Sequence, residues 1–247
     1  MRHFIDISYF GKAYAGWQIQ QNAHTVQAEL DQALSTLLRK EIRSTGAGRT
    51  DTGVHARQLM VHFEHEEALP ASFLHSINGL LPADISVNQL LKPVKPDLHA
   101  RFDASHRSYI YQIVRKKSPF HHDFAYWLRT EVDVAKMQAG AELFKGYTEF
   151  GSFCKANAAN LTNICRIDHA YWQEEGELLC FHIGADRFLR GMVRAVVGTL
   201  LMLGKGKISL AEFQAIIEAQ DRRAAGPSAE AKGLFLTEVR YPEGSFQ

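Results

Sequence analysis

A glycine-rich segment between two predicted strands carries the side chains best suited to chemistry. It reads Gly46-Ala47-Gly48-Arg49-Thr50-Asp51-Thr52-Gly53-Val54-His55-Ala56. Glycine permits tight turns and positive φ, so the segment predicts an exposed turn that presents the Asp51 carboxylate near the Arg49 guanidinium. A carboxylate held in this way can act as a nucleophile, abstract a proton or stabilise a positive charge.

The segment does not fit either of the common phosphate-binding loops. In a dinucleotide-binding pattern that starts at Gly46, the sixth residue should be glycine, but it is Asp51, and no helix is predicted to follow. A P-loop requires Gly-Lys-Ser or Gly-Lys-Thr, which this segment lacks. The carboxylate is therefore the candidate reactive group.

Two other interpretations of Asp51 remain open on the residues alone. An Asp beside glycine commonly closes an Asx turn, which is a structural role. Asp51-Thr52-Gly53 also matches the Asp-Thr-Gly of aspartic proteases, in which two such carboxylates share one proton. Because the chain has one copy, a protease would have to be a dimer. The flanking Arg49 would also favour an ionised carboxylate over a shared proton.

Hydrophobic patterning predicts the elements that position this turn. Strands are expected at 2–9, 42–45, 58–64 and 85–91, and helices at 26–38, capped by Thr25, and at 70–80. The order is β-α-β-β-α-β. Two prolines within Lys92–Asp97 then predict a linker.

The residues after the linker repeat this order. Strands are expected at 108–115, 164–172, 178–184 and 235–241, and helices at 133–145, 188–203 and, from a Ser209/Glu212 capping box, 209–220. The fold class predicted is α+β, with two ferredoxin-like halves whose antiparallel sheets are joined across a central cleft. The predicted domains are residues 1–97 and residues 98–247.

Composition is that of a soluble globular protein. Hydrophobic residues make up 46% and charged residues 22% of the chain. The three cysteines form no CxxC pair, so neither a disulfide framework nor a zinc site is expected, and a reducing cytoplasm fits best. The N-terminal segment Met1-Arg2-His3-Phe4-Ile5-Asp6 meets a charge too early for a signal peptide. The longest apolar run, Ala195 to Leu203, is well short of the roughly 18 residues of a membrane span.

Basic residues cluster locally although the net charge is only +1. The stretch from Arg101 to Arg129 has six basic residues against two acidic ones, and the stretch from Arg187 to Lys207 has five against none. Either stretch alone is better explained as a solvated charged face, but local basic surface attracts phosphates, and two stretches in one half make a polyanionic partner plausible.

Several motifs spaced along the chain resemble those of one family, the TruA-type tRNA pseudouridine synthases. The segment from Gly48 to Ala56 matches the family signature and is highly specific. The other matches are Tyr9-x-Gly11-x-x-Tyr14-x-Gly16-Trp17-Gln18-x-Gln20, Val26-Gln27, Phe63, Asn78-x-x-Leu81-Pro82-x-Asp84-Ile85, His99-Ala100-Arg101-Phe102, Tyr109-x-Tyr111, Met192-Val193-Arg194-x-x-Val197-Gly198 and Gly233-Leu234. The resemblance covers residues 4 to about 241 in collinear order.

The resemblance implies an isomerase that converts uridine to pseudouridine in tRNA, at positions 38 to 40 of the anticodon arm, without a cofactor or a metal. It implies that Asp51 is the essential carboxylate, that Tyr109 stacks on the target base, and that Arg194 supplies the counter-charge. Arg49 is expected to help hold the flipped nucleotide. With Asp51 in the first half and the other two in the second, the site is expected in the cleft.

The resemblance also implies a cytoplasmic homodimer that binds tRNA and no membrane. The sequence leaves three routes for the carboxylate open: addition to C1′, addition to the base, or removal of a sugar proton. It also leaves a rival function open, because ferredoxin-like sheets with exposed aromatics can bind RNA without chemistry.

Overall fold

The computed structural model describes residues 1–155 and 162–247. The strands are β1 (Arg2–Tyr9), β2 (Thr45–Gly46), β3 (His55–Glu64), β4 (Ile85–Leu91), β5 (His106–Val114), β6 (Tyr126–Trp127), β7 (Ile167–Glu175), β8 (Leu178–Ala185) and β9 (Leu234–Arg240). The helices are α1 (Val26–Leu38), α2 (Phe73–Leu80), α3 (Val134–Leu143), α4 (Met192–Gly204) and α5 (Leu210–Glu218). The fold is α+β, with mainly antiparallel strand pairs. Among the described residues, no helix combines the length and apolarity needed to cross a membrane.

The chain divides into two compact units. Unit 1 consists of residues 1–106 and 235–247, and unit 2 of residues 107–234. The predicted domains, 1–97 and 98–247, differ from these units in two places. The first boundary follows residue 106, and residues 235–247 belong to unit 1. The C-terminal difference has a clear cause, because Phe235 and Leu236 of β9 pair in parallel with the start of β3. The final strand of the predicted second repeat therefore lies in unit 1.

Unit 1 is built on an antiparallel sheet in the order β4-β1-β3, with β2 paired to β3. Helix α1 forms because Thr25 accepts a hydrogen bond from the Ala28 N–H at 3.4 Å. The helix buries Val26 and Leu30 as one stripe. The strand predicted at 42–45 is only two residues long, Thr45–Gly46, and it leads directly into the glycine-rich turn.

Unit 2 contains the antiparallel sheet β5-β8-β7, with β6 added in parallel to β5. The predicted hairpin is confirmed as β7 and β8, which turn at Gly176 with a φ of 60°. Helix α4 is almost entirely buried, as its apolar sequence predicts. It begins at Met192 and not at residue 188, because Gly191 has a φ of 71° and cannot continue a right-handed helix.

Helix ends were predicted best where a side chain caps them. The capping box of Ser209 and Glu212 is present at the start of α5, and Asp133 caps α3 through the Lys136 N–H. The helix expected from residue 70 begins instead at Phe73. The element order β-α-β-β-α-β is confirmed for residues 1–91. The ferredoxin-like arrangement of each half stays a prediction.

Candidate active site

Asp51 lies in a four-residue turn immediately before β3, and it is half-buried. The Val54 N–H donates a hydrogen bond to the Asp51 main-chain carbonyl at 3.1 Å. Gly53, the third residue of this turn, has a φ of 76°, a value that favours glycine. A main-chain hydrogen bond therefore closes the turn between Asp51 and Val54.

The N-terminal loop between β1 and α1 holds this turn from one side. The Trp17 N–H donates to the Thr50 carbonyl at 3.3 Å, and the Gly53 N–H donates to the Tyr14 carbonyl at 3.3 Å. The Tyr9 and Thr50 hydroxyls also share a buried hydrogen bond of 2.8 Å. Residues on both sides of Asp51 are therefore fixed by an independent segment, which restricts where its carboxylate can lie.

Two glycines of the N-terminal loop allow this close approach. Gly16 has a φ of 93°, and a Cβ there would lie 2.3 Å from the Thr50 carbonyl oxygen. A Cβ on Gly11 would lie 1.9 Å from the Val54 carbonyl oxygen. Neither distance is possible between non-bonded heavy atoms, so the two backbones can pack this way only because both residues are glycine.

The three glycines of the glycine-rich segment have different roles. Of Gly46, Gly48 and Gly53, only Gly53 has the positive φ that glycine permits. Gly46 is needed for space, because its Cβ would lie 2.7 Å from the Trp17 indole ring. A Cβ on Gly48 would meet no atom within 4 Å.

His55 is a supporting residue that the sequence left without a catalytic role. It is buried, and its Nδ1 accepts a hydrogen bond of 2.9 Å from the Gly11 N–H. Its ring is stacked between Phe10, at 4.7 Å, and Phe235, at 4.6 Å. The imidazole thus joins the end of the turn to the N-terminal loop. Its position within the family signature was the one signal in the sequence.

Arg49 extends from the same turn and is exposed. Its Nε donates to Gln18 Oε1 at 3.2 Å, and Gln18 Nε2 donates to Gln27 Oε1 at 2.8 Å. Arg49 also lines a pocket of about 180 Å³ on unit 1. Asp51 and Arg49 thus lie on the same loop, with the Arg49 guanidinium bonded to Gln18 of the N-terminal loop.

Tyr109 lies in unit 2, on β5, where it pairs with Ile183 of β8. The side chain is half-buried, and its ring meets Phe188 edge-on, with 5.1 Å between the ring centroids and an angle of 90°. Edge-to-face contact is a favoured geometry for aromatic pairs and fixes the plane of the ring. Tyr109 is therefore held in one orientation by its own unit.

Arg194 lies in the first turn of α4 and is half-buried among fully buried neighbours. Its Nε donates to the Ala229 carbonyl at 2.7 Å, and the Ala229 N–H donates to the Arg194 carbonyl at 2.9 Å. Gly198 permits this reciprocal pair, because a Cβ there would lie 1.8 Å from the Pro227 carbonyl oxygen. A guanidinium in such surroundings needs hydrogen-bond acceptors, and the Ala229 carbonyl is one of them.

Asp31 anchors the chain that leads into the glycine-rich turn. This buried carboxylate accepts hydrogen bonds from the Ser44 N–H, at 3.0 Å, and from the Ser44 hydroxyl. Burial raises the pKa of Asp31 from 3.8 to about 6, although the bonds from Ser44 oppose this change. A raised folded-state pKa gives stability that is complete below about pH 3.8 and is lost as the pH rises through about 6.

Replacing Asp31 by Asn should remove this pH dependence, because the amide keeps an acceptor for Ser44 but carries no charge. As the pH rises from roughly 4 to 7, the parent chain should lose about 1–3 kcal/mol in its free energy of unfolding relative to Asp31→Asn. Urea unfolding across this range measures the difference. The exposed Asp97→Asn serves as the control, and parallel curves for Asp31→Asn and the parent would contradict the expectation.

Comparison with known proteins identifies the relatives of this chain. A family model described as tRNA pseudouridine synthase matches residues 141–242. The chain is 46% identical to tRNA pseudouridine synthase A of Parabacteroides distasonis, over 99% of this chain and 98% of the relative. It is 47% identical to the Bacteroides thetaiotaomicron protein of the same name, over 99% and 92%, and 40% identical to that of Syntrophomonas wolfei, over 97% of each. The chain therefore belongs to the tRNA pseudouridine synthase family.

Proposed function

We propose that this chain is a tRNA pseudouridine synthase, an isomerase that converts uridine to pseudouridine within tRNA. The observation that carries the proposal is the Asp51 turn, which sits inside the specific motif and is fixed by the N-terminal loop that forms the next motif. Relatives of the same name over almost the whole chain support it.

The reaction moves one bond and leaves the composition of the RNA unchanged. The N1–C1′ bond breaks, the uracil turns over, and a C5–C1′ bond forms. C5 loses its proton and N1 gains one, so no oxidant, reductant or other co-substrate is consumed. Asp51 supplies the carboxylate, by addition to C1′, by addition to the base or by removal of a sugar proton. Each route needs a fixed carboxylate, and the hydrogen bonds to Thr50 and Gly53 provide that fixation.

Three further residues have proposed roles on the same nucleotide. Tyr109 stacks on the target base, and its contact with Phe188 keeps the ring oriented. Arg194 supplies positive charge for the carboxylate, and its bond to Ala229 limits its motion. Arg49 holds the nucleotide after it leaves the stack. Removing a base from a stack costs a few kcal/mol, which stacking and phosphate contacts return.

The remaining parts of the proposal come from the family resemblance. The target uridines are those at positions 38 to 40 of the anticodon arm. The enzyme acts as a cytoplasmic homodimer, and a two-fold axis would combine the basic stretches of two chains on one tRNA. The two halves are ferredoxin-like, with the element order of residues 1–91 in support. No cofactor or metal takes part.

Release of tritium from tRNA labelled at uridine C5 tests the proposed function directly. Each converted uridine should release one tritium, because C5 exchanges its hydrogen for the bond to C1′. A transcript with uridine at positions 38 to 40 should release it, and one with cytidine there should not. A chain that binds tRNA but releases no tritium from any tRNA would be a silent RNA-binding module.

A further inference from the structure

A rigid turn on unit 1 presents an exposed aromatic ring. Phe102 is 75% exposed, and it belongs to the turn from His99 to Asp103. The Asp103 N–H donates to the His99 carbonyl at 3.1 Å, and the His99 N–H donates to Asp103 Oδ2 at 2.6 Å. A single exposed apolar side chain is common on protein surfaces, so a role for Phe102 depends on the residues around it.

The turn is also fixed to the body of unit 1. The Ala100 N–H donates to His62 Nδ1 at 3.1 Å, and Tyr241 donates to the Ala100 carbonyl at 2.6 Å. His99 supports the exposed ring from behind, since the centroids of His99 and Phe102 lie 4.3 Å apart. The ring of Phe102 is therefore preorganised, and a ligand that stacks on it need not order the turn.

The pocket of about 180 Å³ lies between this turn and the Asp51 loop. Its lining includes Arg49 of the glycine-rich segment, Gln18 of the N-terminal loop, and Arg101 and Phe102 of the turn. No carboxylate is found among its lining residues in the part of the chain that the structure describes. Two guanidiniums at one concave surface favour an anion, and arginine is suited to phosphate oxygens.

The size of the pocket limits the ligand. Sites for drug-sized ligands have volumes of roughly 300–1,000 Å³, so this one holds a smaller group. A phosphate with part of its ribose is such a group. The base of the same nucleotide would then lie outside the pocket, where Phe102 offers a flat apolar face and Arg101 lies 5.8 Å from the ring centroid. Aromatic faces bind unstacked RNA bases in this way.

We propose that this surface binds one nucleotide next to the target uridine, with its phosphate between Arg49 and Arg101 and its base stacked on Phe102. The proposal rests on the proposed function for the identity of the RNA and adds Arg101 and Phe102 as substrate-binding residues. It implies that a second nucleotide leaves the RNA stack together with the target. The occupant is RNA and not protein, because the charge at the pocket is positive and the exposed apolar area is a single ring.

Filter binding of unmodified anticodon-arm RNA to Phe102 variants tests the stacking contact. Phe102→Ala should raise the Kd about tenfold or more, because the aromatic face on which the base stacks is lost. Phe102→Trp should restore affinity, because it keeps an aromatic face. Phe102→Leu should not, although it keeps apolar bulk. Equal affinities for all four chains would overturn the proposal.

The salt dependence of binding tests the phosphate contact. Arg101→Gln should lower the slope of log K against log salt concentration by about one, because one phosphate contact is lost. An unchanged slope would overturn the phosphate assignment. Light scattering of the proteins without RNA tests whether Phe102 instead contacts a second copy of the chain. A lower molar mass for Phe102→Ala and Phe102→Leu than for the parent would show such a protein contact and overturn the proposal.

These measurements separate the failure of this proposal from that of the proposed function. Filter binding reports the affinity for RNA and does not require its conversion, so an inactive chain could still show the Phe102 and Arg101 effects. Conversely, if the chain is active but the Phe102 substitutions do not change its affinity for RNA, the proposed function stands and the proposed binding surface does not. Phe102 is largely exposed, so its variants should fold normally, and thermal unfolding checks this.

Discussion

Asp51→Asn should abolish tritium release from C5-labelled tRNA while the Kd for tRNA stays within about twofold of that of the parent chain. The amide has nearly the same shape but cannot act as a base, a nucleophile or a counter-charge. Loss of a residue that carries a reaction commonly lowers kcat by roughly 10⁴-fold or more. Single-turnover tritium release and filter binding measure the two quantities on the same preparation.

The structure makes this substitution easy to interpret. The Asp51 turn is closed by its main-chain carbonyl, which asparagine retains, so the melting temperature should change little. Glu66→Gln is a matched control, because it neutralises an exposed carboxylate in the same unit that pairs with Lys40. Full turnover in Asp51→Asn would remove the catalytic role. Loss of tRNA binding together with activity would point to a structural role instead.

Local patterns predicted much of the fold because they depend on neighbours in the chain. The alternation in β1 and the Thr25 cap of α1 are examples, and both are present at the predicted residues. The placement of β9 in unit 1 could not be predicted in this way. It follows from pairing with His55, a partner 180 residues away in the chain, and no local pattern encodes such a contact.

For the candidate site too, features that depend on neighbours in the chain were predicted, and contacts between distant segments were not. The motif identified Asp51 and Arg49 as neighbours in the chain, and their roles on the substrate stay predictions. The bond from Arg194 to the Ala229 carbonyl and the bond from Gly11 to His55 join distant segments, so spacing alone could not reveal them. Glycine roles were also missed, since a sequence shows that a residue lacks a Cβ but not which atom would meet one.

The loop between β1 and α1 therefore has a structural role that can be tested, which is to position the Asp51 turn. Its motif glycines do not contact the substrate in the proposed mechanism. Instead, they let the backbone of one loop lie against the backbone of the Asp51 turn. If the position of the carboxylate depends on this contact, then a methyl group placed at the contact should lower the rate of isomerisation without any change in the reacting residues.

Gly11→Ala should lower both stability and kcat. The new Cβ would lie 1.9 Å from the Val54 carbonyl oxygen, so one backbone must move. Forced overpacking costs typically 1–3 kcal/mol, or a fall of roughly 3–10 °C in melting temperature for a chain of this size. A displacement of about 1 Å at a reacting group can cost 10²-fold in rate, so kcat should fall by roughly that factor.

The control for Gly11→Ala is Gly79→Ala, on the exposed side of α2, where a Cβ meets no atom within 4 Å. Alanine in a helix is favoured over glycine by about 0.5–1 kcal/mol, so this variant should be at least as stable as the parent and fully active. Thermal unfolding and tritium release at a temperature well below both melting transitions separate folding from positioning. A Gly11→Ala chain that is folded and fully active there would show that the N-terminal loop stabilises the unit but does not place Asp51.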